Sequence, residues 1–240
     1  MEREMSKKMK LIELKENNYF GRGIIIGKNS HSAVVAYFIM GRSENSRNRY
    51  FFEEENNIAI APYSLDMDFD PSLVVYYPVK TFENKLIVTN GDQTDTIYNH
   101  ISKKLSFEEA LRTREFEPDS PNYTPRISGL MEFDRNDFNY KLSILKSNDD
   151  KGTSCRRQFF EYSSLVGEGH FIHTYKIDGN PLPPFEGEPT QIEILEDFNE
   201  FGDTIWTNLN QDNKISLMVK FIDLKTRKTR TRIYNKRKGD

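Results

Sequence analysis

The chain holds a single cysteine, Cys155, which excludes an intramolecular disulfide. Histidine is also scarce: of four, only His170 and His173 lie close together, and on a strand their side chains take opposite faces, so no structural zinc site is expected. No apolar run approaches the roughly 20 residues that a membrane span needs; the longest, residues 33–40, is strand-length. The opening MEREMSKKMK is charged with no apolar stretch behind it, which predicts neither secretion nor insertion and points to the cytoplasm. Neither GxxxxGK[ST] nor GxGxxG occurs, so any nucleotide site must be built differently. Charge of one sign is lacking too. With 34 basic and 37 acidic residues the net charge is -3, which argues against wholesale nucleic-acid binding and confines any anion site to a local patch.

Aromatic residues are plentiful. Seventeen Phe and twelve Tyr offset a hydrophobic fraction of only 36%, and interleaved with short Ile/Val runs they can fill a core. The length suits one domain over residues 1–240, without internal repeats or a dividing linker. Residues 23–27 and 33–40, joined by a polar turn, form the clearest hairpin. Further strands are predicted at 57–61, 73–79 and 85–89, each bounded by Pro, Asn or Gly. After Asn90-Gly91, Asp92 or Thr94 can cap a helix to about residue 104, and Ser106 with Glu109 makes a capping box for a second through about residue 115. Strand patterns return at 127–133, 140–145, 157–162 and 171–177. Ile192, Leu195, Phe198 and Ile205 then mark one or two helices, and strands at 215–223 and 226–234 end the chain. This order is α+β, compatible with two stacked sheets covered by helices.

Three segments carry candidate chemistry. Arg22, Lys28, Arg42, Arg47 and Arg49, with Ser43 and Asn48 among them, either bind phosphate through guanidinium forks or form a solvated loop balanced by Glu53, Glu54 and Glu55. The run from Asn90 to Ile97 follows a strand and starts a helix, where free N–H groups favour an anion; equally, it reads as an ordinary turn and cap. The proline-rich stretch from Glu117 to Ile127 is either a stiff connector or a loop that holds polar groups at fixed angles. Cys155 beside Arg156 and Arg157 reads as a plain free thiol, and the basic, Thr-alternating end of the chain as a solvated edge strand.

Together these segments resemble archaeal-type IMP cyclohydrolases and their bacterial relatives. The likeness rests on Tyr19-Phe20-Gly21-Arg22-Gly23, on Ala36-Tyr37 followed by Gly41-Arg42-Ser43 and Asn48-Arg49, on Asn90-Gly91-Asp92-Gln93-Thr94-Asp95, and on Asn122-Tyr123-Thr124-Pro125-Arg126-Ile127. It runs from about residue 19 to residue 129. The resemblance implies a four-layer α-β-β-α sandwich like that of the amino-terminal-nucleophile hydrolases, without their terminal nucleophile. Met1-Glu2 offers no Ser, Thr or Cys for an amide hydrolase of that type. It implies a cyclic amidine hydrolase that closes 5-formamidoimidazole-4-carboxamide ribonucleotide to IMP with loss of water. No cofactor, metal, nucleic acid or membrane is implied; the partner is the purine nucleotide itself, and a homo-oligomer stays open. By resemblance Tyr76, Glu117 and Arg22 are the expected catalytic residues, with Tyr37, Arg42, Ser43, Arg49, Asn90, Asp95, Tyr123, Thr124 and Arg126 around the substrate. The alternative is a purine-nucleotide-binding protein of the same fold without catalysis, which would leave Tyr76 and Glu117 exposed or misdirected. Two departures from the archaeal pattern flank this region: a longer segment between Ser43 and Asn48, and Asp92-Gln93 where Ser-His is common.

Overall fold

A computed structural model describes residues 8–64 and 76–236. Thirteen strands among them form two antiparallel sheets. The six-stranded sheet contains β1 (Arg22–Lys28), β2 (Ser32–Met40), β10 (Glu168–His173), β11 (Thr190–Glu193), β12 (Lys214–Asp223) and β13 (Thr229–Asn235), in the order β11-β10-β1-β2-β12-β13. The seven-stranded sheet runs β3 (Tyr50–Glu54), β4 (Asn57–Ala61), β5 (Val79–Phe82), β6 (Lys85–Thr89), β7 (Arg126–Asp134), β8 (Asp137–Ser147) and β9 (Cys155–Ser163) in chain order. The fold is therefore α+β with two antiparallel sheets and few helices.

Strand alternation explains how the sheets bury both faces. On β2, Ala33, Val35, Tyr37 and Ile39 join Ile24 and Ile26 of β1 in a core shared with Phe51, Ile58, Val88, Ile127 and Leu142 of the other sheet. Gly129 lets the sheets close up, since a Cβ there would lie 2.7 Å from the Ile26 side chain. The residues of opposite parity, Val34, Ala36 and Phe38, pack outward against Phe198, Phe201 and Ile205 of helix α4 (Phe198–Asn208) and against a 3-10 segment, Leu11–Glu16. Helices α2 (Gln93–Ile101) and α3 (Phe107–Arg112) cover Ile87, Leu130 and Leu145 on the other outer face. Among the described residues no helix is long and apolar enough to cross a membrane.

Several expectations need correcting. The capping box at Ser106 and Glu109 forms, but α3 ends at Arg112, with Thr113 as its C-cap. Gln93 opens α2 while the Asp92 side chain makes no cap bond; it pairs instead with arginines. Ile192, assigned to a helix by its spacing from Leu195 and Phe198, lies in strand β11, because its neighbours pair with β10 and it packs on the outer face of that sheet. Strand β10 stops at His173, where Thr174 and Tyr175 turn back to bond the approach to β1. Of the strand predicted at 73–79, residues 73–75 lie outside the described residues and residues 76–78 are not in a strand; Val79 begins β5. Burial pushes the Cys155 thiol up, outweighing the opposing charge of Arg157.

One junction positions everything at this end of the sandwich. Gly21 has φ 74°, and a Cβ there would sit 2.3 Å from Thr174 Oγ1 and 2.5 Å from the Tyr175 ring. Its close approach lets Thr174 Oγ1 donate to the Phe20 carbonyl and accept from the Arg22 amide, both at 3.1 Å. Beside it His173, buried among Phe20, Phe171 and Phe185, bonds the Tyr175 carbonyl through Nδ1.

Gly21→Ala combines a left-handed backbone with a steric clash and should lower unfolding free energy by ~2–4 kcal/mol in urea titration. Burial holds His173 down at about 4 against an ordinary value near 6.5. The native state therefore binds fewer protons than the unfolded chain in that interval, and the contribution of His173, full above pH 6.5, is lost as pH falls toward 4. Unfolding free energy should drop by about 3 kcal/mol more across this window in the wild type than in His173→Asn, whichever variant is more stable at pH 8.

Candidate active site

At the Arg22 end of the sandwich the core's alternation continues into polar residues. Arg22 occupies the same face of β1 as Ile24, and Tyr37 on β2 the same face as Ile39, so both belong to the gap between the sheets. The Tyr37 ring stacks on Phe51 of the opposite sheet at 5.4 Å. Its hydroxyl lies 3.1 Å from that of Tyr76, which precedes β5 and is 6% exposed. Burial, followed by the proximity of Tyr76, pushes the Tyr37 phenol well up, and burial raises Tyr76 as well. Both hydroxyls thus stay protonated near neutrality and are available as donors.

Three charged groups share this desolvated space. Burial works against the charge of Arg22, but Tyr19, Glu117, Tyr175 and Tyr37 outweigh it and hold the guanidinium above the usual arginine range. Arg49, just before β3, is pulled down by burial and by the like charge of Arg22. Its Nε is buried with no hydrogen-bond partner among the described residues. Glu117 is half-buried, and desolvation raises its carboxyl against the opposing charges of Arg22, Arg126 and Arg49. Asp119 adds a like charge that raises Glu117 further, and Arg126 is already paired with Asp92, so Arg22 and Arg49 are the guanidinium groups of this set left for an anionic ligand.

The proline-rich loop is fixed from both sides. The Glu117 amide donates to the Thr124 carbonyl at 2.9 Å. Asp119 accepts from the Thr124 amide at 2.6 Å and from its hydroxyl at 2.5 Å, while that hydroxyl lies 2.6 Å from the Tyr175 hydroxyl. Arg126 follows, with Nη1 donating to Asp92 at 2.8 Å and to Gln93 at 2.7 Å; Arg114 binds both Asp92 oxygens. Arg114 and Arg126 hold the Asp92 carboxyl low despite its partial burial.

The structure thus brings Arg22, Tyr37, Arg49, Tyr76, Glu117, Thr124 and Arg126 into one electrostatically connected region. The other candidates have local partners. Asn90 donates to the Pro125 carbonyl and accepts from the Ile127 amide and Gln93, which ties β6 to β7. Ser43 caps the short helix α1 (Glu44–Arg47), accepting from the Ser46 amide. Asp95 is exposed and pairs with Lys80 at 2.5 Å, apart from the group. Tyr123, at φ 42°, packs edge-on against Phe116 and over Gly152. Arg42 lies 5.1 Å over the Tyr19 ring and pairs with Asp178 at 2.6 Å.

Residue-level reading did not single out Asp119 or Tyr175. Asp119 was in view within the loop, but Tyr175 reaches the site only through the pairing of β1 with β10, more than a hundred residues away in sequence. Four open cavities of about 410 to 520 Å³ are lined by none of the seven residues of the connected region.

A family model described as "IMP cyclohydrolase-like protein" matches residues 19–227, from the Tyr19 motif through the β12–β13 turn. The IMP cyclohydrolase of Methanocaldococcus jannaschii is 26% identical over 191 residues, covering 76% of this chain and 88% of that protein. The IMP cyclohydrolases of Methanococcus aeolicus and Methanococcus maripaludis strain C7 are 31% and 32% identical over 118 and 121 residues, covering 47% and 48% of this chain and 58% and 59% of theirs. The first alignment nearly fills its relative, whereas the other two span somewhat over half. Since the family match takes in every strand but β13 and every residue of the connected region, the chain belongs to the IMP cyclohydrolase-like family.

Proposed function

We propose that this protein is an IMP cyclohydrolase, closing 5-formamidoimidazole-4-carboxamide ribonucleotide to IMP with release of water. The observation that carries the reading is the group of Arg22, Arg49, Tyr37, Tyr76 and Glu117 inside the region matched by the family model, in which two tyrosines and Arg49 are buried, Arg22 and Glu117 are half-buried, and two arginines face one carboxyl. We read the two sheets with their outer helices as one domain, an α-β-β-α sandwich of the amino-terminal-nucleophile hydrolase type. A non-catalytic nucleotide binder would have no use for a desolvated carboxyl beside protonated phenols, and Tyr76 is neither exposed nor unpartnered.

In the reaction, the carboxamide nitrogen attacks the formyl carbon and a C–N bond forms. One proton leaves that nitrogen and one reaches the former formyl oxygen. The resulting hydroxyl then departs as water, and the former formamide nitrogen gives up its proton to complete the ring. Arg22 and the neutral Tyr76 hydroxyl stabilise the oxygen as charge builds on it. Glu117 accepts the amide proton and passes it to the former formyl oxygen, and the proton of the former formamide nitrogen then leaves with that hydroxyl as water; desolvation raises Glu117 above an ordinary glutamate, which suits such exchange. Arg49, with a buried unpartnered Nε, binds the phosphate or an anionic edge of the base. Tyr37 orients Tyr76, and Thr124 and Arg126 hold the Glu117 loop. Arg42, Ser43, Asn90, Asp95 and Tyr123 belong to the surrounding frame. Because both reacting groups sit on one substrate, holding them in contact supplies much of the acceleration.

Absorbance-monitored turnover of the formylated nucleotide should yield IMP, with kcat lowered at least 100-fold in Glu117→Gln and KM changed little; full activity in that variant would remove Glu117 from the mechanism. With Glu117 acting as a base, kcat/KM should rise with pH through an ionisation above the ordinary glutamate value near 4.5. Asp92→Asn removes one negative charge and loosens the hold on Arg126. The Glu117 carboxylate is then stabilised, so this acid limb should move to lower pH; a limb that stays put or moves upward would sever Asp92 from Glu117.

A further inference from the structure

Away from the Arg22 end, the gap between the sheets opens into a second cavity of about 520 Å³. It lies between the β5–β6 turn and the β12–β13 turn, and its apolar wall is made of Leu86, Phe133 and Ile222. The register on the central strands separates it from the active site. Arg22 pairs with Ile39 at one end of β1 and β2, whereas Ile222 of β12 pairs with Ala33 at the other end of β2.

The polar lining is unusual for an inter-sheet gap. Lys220 is 1% exposed and sits on the core-facing side of β12, where the flanking positions are Met218 and Ile222. Its ammonium donates to the Asn56 carbonyl at 3.0 Å, and Glu53 stands off at 3.8 Å with a side chain 43% exposed. Burial consequently pushes Lys220 down, with Glu53 offsetting only part of the effect. A buried ammonium with so distant a counter-charge is costly to keep unless another anion completes it.

Arg227 lies across from it. Its guanidinium sits 4.6 Å over the Phe133 ring and donates through Nη2 to the Arg135 carbonyl, while Nη1 is buried with no partner among the described residues. Lys228 adds a third cation, and Lys85 is already paired with Glu132 at 3.0 Å. Glu83 is the one carboxylate among the lining residues. Lys220, Arg227 and Lys228 against Glu83 and Glu53 leave one positive charge in excess, and the buried Lys220 ammonium and the unpartnered Arg227 Nη1 are donors suited to phosphate oxygens. The apolar wall beside them suits a flat hydrophobic body, and the volume falls within the range of small-molecule sites.

The geometry points to this cavity as a second ligand site, taking a small phosphate monoester with a planar or apolar body, its phosphate at Lys220, Arg227 and Lys228 and its body against Leu86, Phe133 and Ile222. No chemistry is assigned to the site. Lys220 faces the same core as Met218, the partner of Tyr37 in the sheet, so the two sites share a wall of packed side chains.

Phenyl phosphate is a suitable probe, with phenol as its neutral counterpart. Calorimetric titration of the full chain should detect one equivalent of phenyl phosphate at this site, with phenol bound at least tenfold more weakly. Lys220→Met and Arg227→Asn should each weaken that event at least tenfold. Asparagine is chosen at position 227 because it tolerates the backbone there, φ 59°. Should Lys220→Met fail to fold, Arg227→Asn decides alone. Arg22→Met, at the other end of the gap, locates the event: binding that vanishes in Arg22→Met but survives at positions 220 and 227 belongs to the active site and overturns the proposal. So does undiminished binding in every cavity variant, or the absence of any binding that distinguishes phenyl phosphate from phenol.

Discussion

Removing Arg22 and Arg49 from water beside the single carboxyl of Glu117 is the constraint on which the rest of this end of the molecule depends. Each group carries a desolvation cost, and the arginines repel one another. In water they would separate or be screened. Here strand β1 holds Arg22, the start of β3 holds Arg49 and the proline-rich loop holds Glu117, three elements from both sheets that can separate only if the core between them opens. The cost is met by apolar packing: burying one Val, Leu, Ile, Phe or Met side chain contributes about 1.5–3 kcal/mol, and the inter-sheet core contains more than twenty such residues. A bound anion would relieve the strain that the apolar core only contains, and this is how a pre-set cluster of charge becomes selective for its ligand.

The site is a continuation of the core rather than a feature added to its surface. Along β1 the inward positions read Ile26, Ile24, Arg22, and the change from apolar to charged comes where the sheet ends. Gly21 and Thr174 make that change abrupt, with one close approach satisfying the backbone groups that the departing strand would leave unpaired. His173 and its aromatic neighbours fill the outer side of the same junction. A change at Gly21 or His173 therefore reaches Arg22 through the backbone bonds of this junction.

Much of this was legible in the chain. The β1–β2 hairpin, both helices after Asn90 and the terminal strand pair followed from local periodicity and capping, whose signals lie within a few residues. Strand β3 escaped because Tyr50–Glu54 is half acidic and forms an edge whose outer residues face water. Strand β11 escaped because Ile192, Leu195 and Phe198 mimic a helical stripe, although a sheet edge claims the first and a helix the last. For the site, residue types alone could not separate Arg22 from Arg42 or Glu117 from Asp119. What separates them is which face of which sheet each one meets, and that depends on pairings such as β1 with β10 that join distant parts of the chain. Ser43 shows the converse: its side chain bonds its own turn, which leaves a helix cap as sufficient reason for its presence, whereas Asn90 joins β6 to Pro125 and Ile127 across the sheet.

The pair Asp92-Gln93 shows how a departure from the archaeal pattern becomes intelligible once partners are known. A serine and a histidine at these positions would offer Arg126 no fixed negative charge near neutrality. Asp92 offers one, and Arg114 from beyond α3 binds its two oxygens, so the aspartate stays ionised between two cations. Gln93 then completes a chain from Arg126 through its own amide to Asn90, which ties the start of α2 to the start of β7. Arg126 in turn helps keep Glu117 from rising further under desolvation. Asp92, Gln93 and Arg114 therefore form one unit, in which the charge of Asp92 is met by Arg114 and Arg126 and the position of Arg126 is fixed from behind. Changing any one of the three alone would leave an uncompensated charge or a broken bridge beside Arg126, whose charge acts on the Glu117 carboxyl.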